Sequence, residues 1–378
     1  MPAPDPRRPT APADALPPGA ALDPLAPDVS VELQALFRAL PKAELHLHLD
    51  GSLRPESALE LARERGLAGG IPDVAAMRGR LEAPRPCADQ AQLLRAFDLP
   101  IAILQDAAAL ERVAHELVLD VAADGTRYVE IRWAPALHTA RGLGLREGLA
   151  AVSAGCRAGA RAALEGGRSI TVRLIAVAMR SHTVETNEAV ARAAVGAAPD
   201  GLTGFDLAGP EASHPDPLSQ RRAFEIARAG GLGITVHAGE WGGAAQVRRA
   251  LALDPARVAH GAPAADDPAL MAELRARGIT LDLCPSSNWQ AGLVPTLGAH
   301  PLPRLARAGV PVTLSTDDRT VSDLTLPREY GRAHALLGLS VEELWALDRH
   351  ALEVAFLHDD EGLRDALRAE FAAFSLPR

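Results

Sequence analysis

Cysteine is scarce in this chain of 378 residues. Cys87, Cys156 and Cys284 are widely spaced and form no C-x-x-C pair, which excludes a disulfide framework and a cysteine zinc site and fits a reducing cytoplasm. Aromatic residues make up 3% of the chain and no basic stripe interleaves with them. With a net charge of −9 and a pI near 5.8, the electrostatic footprint of a nucleic-acid binder is missing. No stretch reaches the roughly 18 consecutive apolar residues of a membrane span. The first thirty residues hold nine prolines and no apolar core of signal-peptide length. The expected partner is a small molecule, with neither nucleic acid nor membrane. Lysine is scarcer still: Lys42 is the only one, and the other 38 of the 39 basic residues are arginines. Chemistry that needs a lysine has that residue alone.

What is present is a hydrophobic content of 48% and a mean hydropathy of +0.02, ordinary for a globular chain. Residues 1–30 read as a disordered Pro/Ala-rich tail and 31–378 as a single domain. After the tail, eight short β-branched or apolar runs alternate with longer Ala/Leu/Arg/Glu segments of helical character. They are "AELHLHL" (43–49), "RYVEIRW" (127–133), "VRLIAVA" (172–178), "LTGFDLA" (202–208), "GITVHAG" (233–239), "RVAHG" (257–261), "ITLDLCP" (279–285) and "VPVTLST" (310–316). Repeated βα units on this scale predict an α/β fold, a (β/α)8 TIM barrel needing about 250 residues. The rival, a doubly wound open sheet, lacks its Gly-rich phosphate turn after the first strand. The gap of about 78 residues between the first two runs is too long for one crossover helix. It predicts extra helices around 54–66 and 89–124, lying over the barrel mouth as a lid.

Barrel chemistry sits at the C-terminal ends of strands. His46 and His48 close the first strand and, with a side-chain period of two, point to the same side. His237 is near the end of the fifth strand, His260 ends the sixth, and Asp317 and Asp318 follow the eighth. A lone histidine at a strand end is ordinarily a hydrogen-bonded rim residue. Two inward imidazoles need a common partner to offset their desolvation, and four histidines plus an aspartate at one mouth point to a metal. Imidazole nitrogens plus one carboxylate, with a position left for water, make the ligand set of catalytic zinc. Many two-metal barrels bridge their ions with a carboxylated lysine at the end of strand 4. "GFDLAGPE" has none and Lys42 lies at the far end of strand 1, so one metal is expected. Glu240, three residues past His237, is either a helix N-terminal carboxylate favoured by the dipole or a general acid/base beside a metal-activated water.

Taken together, "HLHLDG", "FDLAGPE", "TVHAGE", "VAHG", "CPSSN" and "STDD" resemble the adenosine deaminase family of the amidohydrolase superfamily, over residues 41 to about 360. The resemblance implies one Zn2+ per chain, bound by His46, His48, His237 and Asp317. It implies that Glu240 serves N1 of the purine and that His260 orients the attacking hydroxide. It further implies Asp318 at the N7 side, the Gly209 backbone at N3 and Asp50 at the ribose 5′-hydroxyl. Cytidine-type zinc deaminases are excluded because their P-C-x-x-C pair is absent. Two departures stand out: Arg319 follows the paired aspartates where the family often has proline, and the bulky Trp289 follows "CPSSN". Arg319 is either structural or a contact for an anionic group.

The implied activity is hydrolytic deamination of adenosine and 2′-deoxyadenosine to the inosines, in the cytoplasm. Close alternatives keep the chemistry and change the N9 substituent: aminodeoxyfutalosine, whose benzoate would meet Arg319, or free adenine. Asp50 favours a ribose 5′-hydroxyl over a 5′-phosphate, which a carboxylate repels. A non-catalytic adenosine-binding protein is the reading from another class, opposed by the complete ligand set with Glu240.

Overall fold

Each of the eight β-branched runs forms a strand in the computed structural model, which describes residues 29–357 and 360–376. The strands are β1 Lys42–His48, β2 Thr126–Trp133, β3 Thr171–Met179, β4 Leu202–Ala208, β5 Gly233–Ala238, β6 Arg257–His260, β7 Thr280–Leu283 and β8 Val312–Leu314. Each pairs in parallel with the next in chain order. The segment after β8 returns to β1, where His48 N donates to Asp317 O at 2.8 Å and Asp317 N to His46 O at 3.1 Å. That seam completes a (β/α)8 barrel and fastens the last strand end beside the first. No helix among the described residues is long and apolar enough to cross a membrane.

The tail expected over residues 1–30 lies outside the described residues as far as residue 28. Of the remaining two, Val29 is buried and Ser30 caps helix Val31–Ala39, its hydroxyl accepting from Leu33 N at 3.3 Å. That helix ends over Lys42, whose ammonium donates to Phe37 O at 2.7 Å and Leu40 O at 2.5 Å. The only lysine is therefore engaged at the N-terminal end of β1, where a helix C-terminus attracts a cation.

Between β1 and β2 lie helices Pro55–Glu64, Val74–Leu81, Gln90–Leu94, Asp98–Ile103 and Ala107–Ala123. The last of these departs from the expectation of helices across the mouth, because it packs in the outer ring against β2 and helix Leu145–Glu165. Glycine makes that contact close: a Cβ on Gly155 would stand 2.1 Å from Glu111 O, and one on Gly159 2.8 Å from His115 O. The part of the insertion bonded to the mouth loops is short. Ala83 N donates to Val321 O at 3.1 Å, Cys87 N to Gln290 O at 2.7 Å, and Ala212 N to Gln90 Oε1 at 3.2 Å.

The barrel interior is ionic. In "RYVEIRW" the inward set is Tyr128, Glu130 and Arg132, all fully buried. Arg132 Nη1 donates to Asp206 Oδ2 at 2.9 Å and Nη2 to Leu45 O at 2.5 Å. Arg257 pairs with Glu130 and, at 3.0 Å, with Asp282, while its guanidinium lies 3.8 Å over the Phe356 ring. Thr313 Oγ1 donates to Asp282 Oδ1 at 2.8 Å. Charges buried this deeply persist only with partners on every side. Arg257→Ala would strand Glu130 and Asp282 and should destabilise the fold by about 3–5 kcal/mol, the usual cost of removing one buried partner. Urea unfolding measures this, and a loss below about 1 kcal/mol, the size of an exposed pair, would contradict the network's role.

Candidate functional site

The β1 alternation brings His46 and His48 to the same side, and β5 brings His237 opposite. Nε2 of His48 lies 3.2 Å from Nε2 of His46 and 3.2 Å from Nε2 of His237. Asp317 Oδ1 lies 3.0 Å from His46 Nε2 and 3.3 Å from His48 Nε2. Donor atoms bound to a tetrahedral zinc at 2.0–2.1 Å are separated by about 3.3 Å, so the spacing fits one such ion. The protonation fits too. Burial holds His46 well below its ordinary value, helped by Arg132, and brings His48 down to about 4. Burial alone would raise Asp317, but His46, His260 and His48 outweigh it and hold the carboxyl well below the usual range. Among the donors, His46 and His48 are thus neutral imidazoles and Asp317 is a carboxylate. Behind His237, Asp206 Oδ2 stands 2.8 Å from Nδ1, which keeps the ring hydrogen on Nδ1 and turns the Nε2 lone pair to the cluster.

Ligand atoms of His46, His237, His260 and Asp317 also lie within 4.8 Å of one another, so distance does not separate His260 from His48 as a ligand. Hydrogen polarity does. Leu302 N donates to His300 Nδ1 at 3.2 Å, and because a backbone N–H only donates, the hydrogen of neutral His300 sits on Nε2. Burial, then His260, brings His300 down to about 3, so it is neutral. Its Nε2–H donates to Asn288 Oδ1 at 3.1 Å, which turns the Asn288 amide N–H to His260 Nδ1 at 3.0 Å. His260 therefore carries its hydrogen on Nε2, 3.8 Å from both Glu240 Oε1 and Asp317 Oδ2. It enters the site as a hydrogen donor.

Glu240 follows β5 on a loop held by another carboxylate. Buried Glu211 accepts from Gly239 N at 2.8 Å, Trp241 N at 2.8 Å and Gly242 N at 2.9 Å, fixing the backbone on both sides of Glu240. Arg180 donates to His237 O at 2.9 Å and lies 3.8 Å from Glu211. Burial, then Asp317, pushes Glu240 up to about 8, while 15% of its side chain remains exposed. A carboxyl that is neutral at pH 7 and reachable from outside is equipped to donate a proton.

Asp318 is packed against Gly51, where a Cβ would stand 1.7 Å from Asp318 Oδ1. The glycine of "HLHLDG" is thus sterically required. Burial, then Asp317, raises Asp318 well above its ordinary value, and its Oδ1 has no partner among the described residues. Gly209 sits at φ 102° with Met179 Cε 2.9 Å from the position of a Cβ. Asp50, at the end of β1, is buried beside His138, with Oδ2 3.8 Å from His138 Nε2. Arg319 is structural: Nη1 donates to Asp124 Oδ2 at 2.7 Å and the backbone N to Ser52 Oγ at 3.2 Å. Trp289 is half-buried in helix Pro285–Gln290, between Asn288 and Gln290.

The model of a family described as "Adenosine deaminase" matches residues 41–371. The chain belongs to the adenosine deaminase family. An adenosine deaminase of Enterococcus faecalis is 36% identical over 329 residues, covering 87% of this chain and 95% of that protein. Among solved structures, the N6-methyl-AMP deaminase of Arabidopsis thaliana is similar with a TM-score of 0.79 and 28% identity, over 90% of this chain and 99% of that one. The adenine deaminase of Arthrobacter aurescens aligns with a TM-score of 0.78 and 27% identity, over 88% of this chain and 98% of that one.

Within this adenosine deaminase family chain, sequence reasoning missed Asp206, Glu211, Ser287 and Asn288, although all four lie inside the quoted motifs. Ser287 Oγ donates to Asp317 Oδ2 at 2.6 Å. His138 and His300 carried no signal beyond being histidines. The hydrogen relay through Asn288 makes a direct prediction. In Asn288→Asp the side chain only accepts, so His260 must donate from Nδ1 and leave Nε2 bare. Nitrogen-15 spectra of histidine-labelled protein should show His260 as the Nε2–H tautomer in the parent and as Nδ1–H in the variant. An unchanged tautomer would refute the relay.

Proposed function

We propose that this chain catalyses the hydrolytic deamination of adenosine and 2′-deoxyadenosine to inosine and 2′-deoxyinosine, releasing ammonia, with one zinc held by His46, His48, His237 and Asp317. The observation that carries the proposal is the convergence of three imidazoles and one carboxylate at 3.0–3.3 Å, beside a carboxyl kept protonated. Membership of the adenosine deaminase family supports it independently. The absence of a lysine from the β4 end favours one ion over two.

The chemistry supplied by bound zinc is a water of lowered pKa, about 7 in place of 15.7, available at neutral pH. The chain's own residues do the rest. Attack at C6 drives electron density onto N1, and Glu240 donates its proton there, then takes up the proton that the added oxygen loses as C6 becomes a carbonyl and delivers it to the departing ammonia. His260, a donor through Nε2, orients the attacking oxygen. Asp318 holds the N7 side, the Gly209 backbone meets N3, and Asp50 accepts from the ribose 5′-hydroxyl. Arg319 is spent on Asp124, which removes the cation that a benzoate-bearing substrate was expected to use. The partner is a small purine nucleoside, and three free, buried cysteines suit a cytoplasmic enzyme.

Ammonia release from adenosine, 2′-deoxyadenosine, adenine and aminodeoxyfutalosine tests the reaction directly. Preference for either of the last two would replace the substrate assignment, and release from none would leave a binding protein. Elemental analysis should find close to one zinc per chain, lost in His46→Ala and Asp317→Ala, whereas two metals would contradict the single-ion site. Glu240→Gln should retain zinc and bind purine riboside while turnover falls by roughly two to four orders of magnitude. Activity within about tenfold of the parent would remove Glu240 from proton transfer.

A further inference from the structure

His138 has no part in the reaction as described, yet its surroundings are those of a ligand contact. It ends the 3-10 turn Pro135–His138 that follows β2, the barrel neighbour of β1, and it is 1% exposed. Nδ1 lies 2.9 Å from Leu104 O. A carbonyl oxygen only accepts, so Nδ1 carries a hydrogen, and in the tautomer with that hydrogen alone Nε2 is a bare acceptor. The turn is clamped by Gln105, whose amide donates to Leu137 O at 2.9 Å and Ile101 O at 2.7 Å. Held this way, Nε2 faces Asp50 Oδ2 at 3.8 Å. Among the described residues, His138 Nε2 and Asp50 Oδ1 are both buried without a partner. Buried acceptors left unpaired are unfavourable until something brings hydrogens to them.

We propose, building on the nucleoside reading above, that His138 Nε2 accepts from the 3′-hydroxyl of the substrate sugar while Asp50 accepts from the 5′-hydroxyl. The two hydroxyls are carried on either side of C4′ and present two donors side by side, the complement of this pair. A free base offers no hydroxyl and leaves both acceptors unpaired. A 5′-phosphate sets anionic oxygens against a carboxylate and a lone pair. The 2′-hydroxyl takes no part, so ribose and 2′-deoxyribose are treated alike. His138 is thereby a specificity residue that makes the site one for nucleosides.

The test compares adenosine with 3′-deoxyadenosine and 5′-deoxyadenosine in the zinc-loaded parent, His138→Asn and His138→Gln. Asparagine keeps an amide N–H for Leu104 O and deletes Nε2, whereas glutamine returns a polar group near the Nε2 position. The parent should lose about three- to tenfold in kcat/KM on 3′-deoxyadenosine, the range of one neutral hydrogen bond. His138→Asn should lose the same on adenosine and nothing further on 3′-deoxyadenosine, with the cost of removing the 5′-hydroxyl unchanged and with partial recovery in His138→Gln. An equal loss on all three substrates, or a parent indifferent to the 3′-hydroxyl, would overturn the assignment. Calorimetric binding of purine riboside and its 3′-deoxy analogue repeats the comparison without turnover. If that pattern appears where no ammonia is released, the sugar contact stands and the reaction falls. If neither nucleoside binds, both fall.

Discussion

Asp206 is the carboxylate on which two otherwise separate systems meet. One oxygen stands 2.8 Å from His237 Nδ1 and 2.9 Å from Arg132 Nη1, and the other accepts from Leu207 N at 2.7 Å. Burial works to raise Asp206, but His237 and Arg132 outweigh it and hold the carboxyl well below the ordinary carboxylate range. Through Arg132 it is tied to the interior charges, since Arg132 also lies 3.8 Å from Asp282, the partner of Arg257. Through His237 it sets the direction of a lone pair in the histidine cluster. An apolar filling would stabilise the barrel, but it would leave that ring free to choose its tautomer. The ionic interior therefore carries a functional constraint down from the mouth, and it explains why such costly charges are retained where hydrocarbon would pack.

Two site residues stand in a backbone conformation that L side chains rarely adopt. His260 has φ 65° and Asp317 φ 68°, each costing on the order of 1–3 kcal/mol. His260 ends β6 and Asp317 lies three residues beyond β8, where a left-handed residue turns the chain sharply. The surrounding bonds over-determine the strain. Asp317 is pinned at both backbone atoms to β1 and at Oδ2 by Ser287. His260 is pinned by Asn288, and the next residue by Gly261 N donating to Ala238 O at 3.0 Å. The barrel seam between β8 and β1 is thus also the support of a proposed zinc ligand.

Periodicity made the fold legible, because β-branched runs of period two separated by long helical segments admit few other layouts. His46 and His48 were legible for the same reason, since a period of two fixes their common side whatever the tertiary detail. The interior charges were not, because alternation says which residues point inward but not that Glu130, Arg132, Asp206, Arg257 and Asp282 neutralise one another across four strands. Helix Ala107–Ala123 was assigned to the mouth because chain length cannot tell an insertion from the crossover helix that follows it. Arg319 was ambiguous until its partner appeared, as Asp124 is distant in sequence. Asn288 and His300 are invisible in principle to motif reasoning: their role is the direction of a hydrogen, which only distances to an unambiguous donor reveal.

Hydrogen accounting also bears on how one barrel serves different aminopurines. The adenine deaminase and the N6-methyl-AMP deaminase that resemble this chain differ from each other in what their names place at N9, while all align over most of their lengths. In the reaction proposed for this chain, groups at the ends of β1, β4, β5, β6 and β8 handle the purine and the water. The sugar is left to the outer residues after β1 and β2. There Asp50 and His138 stand 3.8 Å apart, the two acceptors proposed above for the sugar hydroxyls. A mouth built this way rewards donors and repels anions. Exchanging Asp50 alone for a neutral residue would leave the His138 nitrogen in place, so it would remove repulsion from a phosphate without supplying attraction.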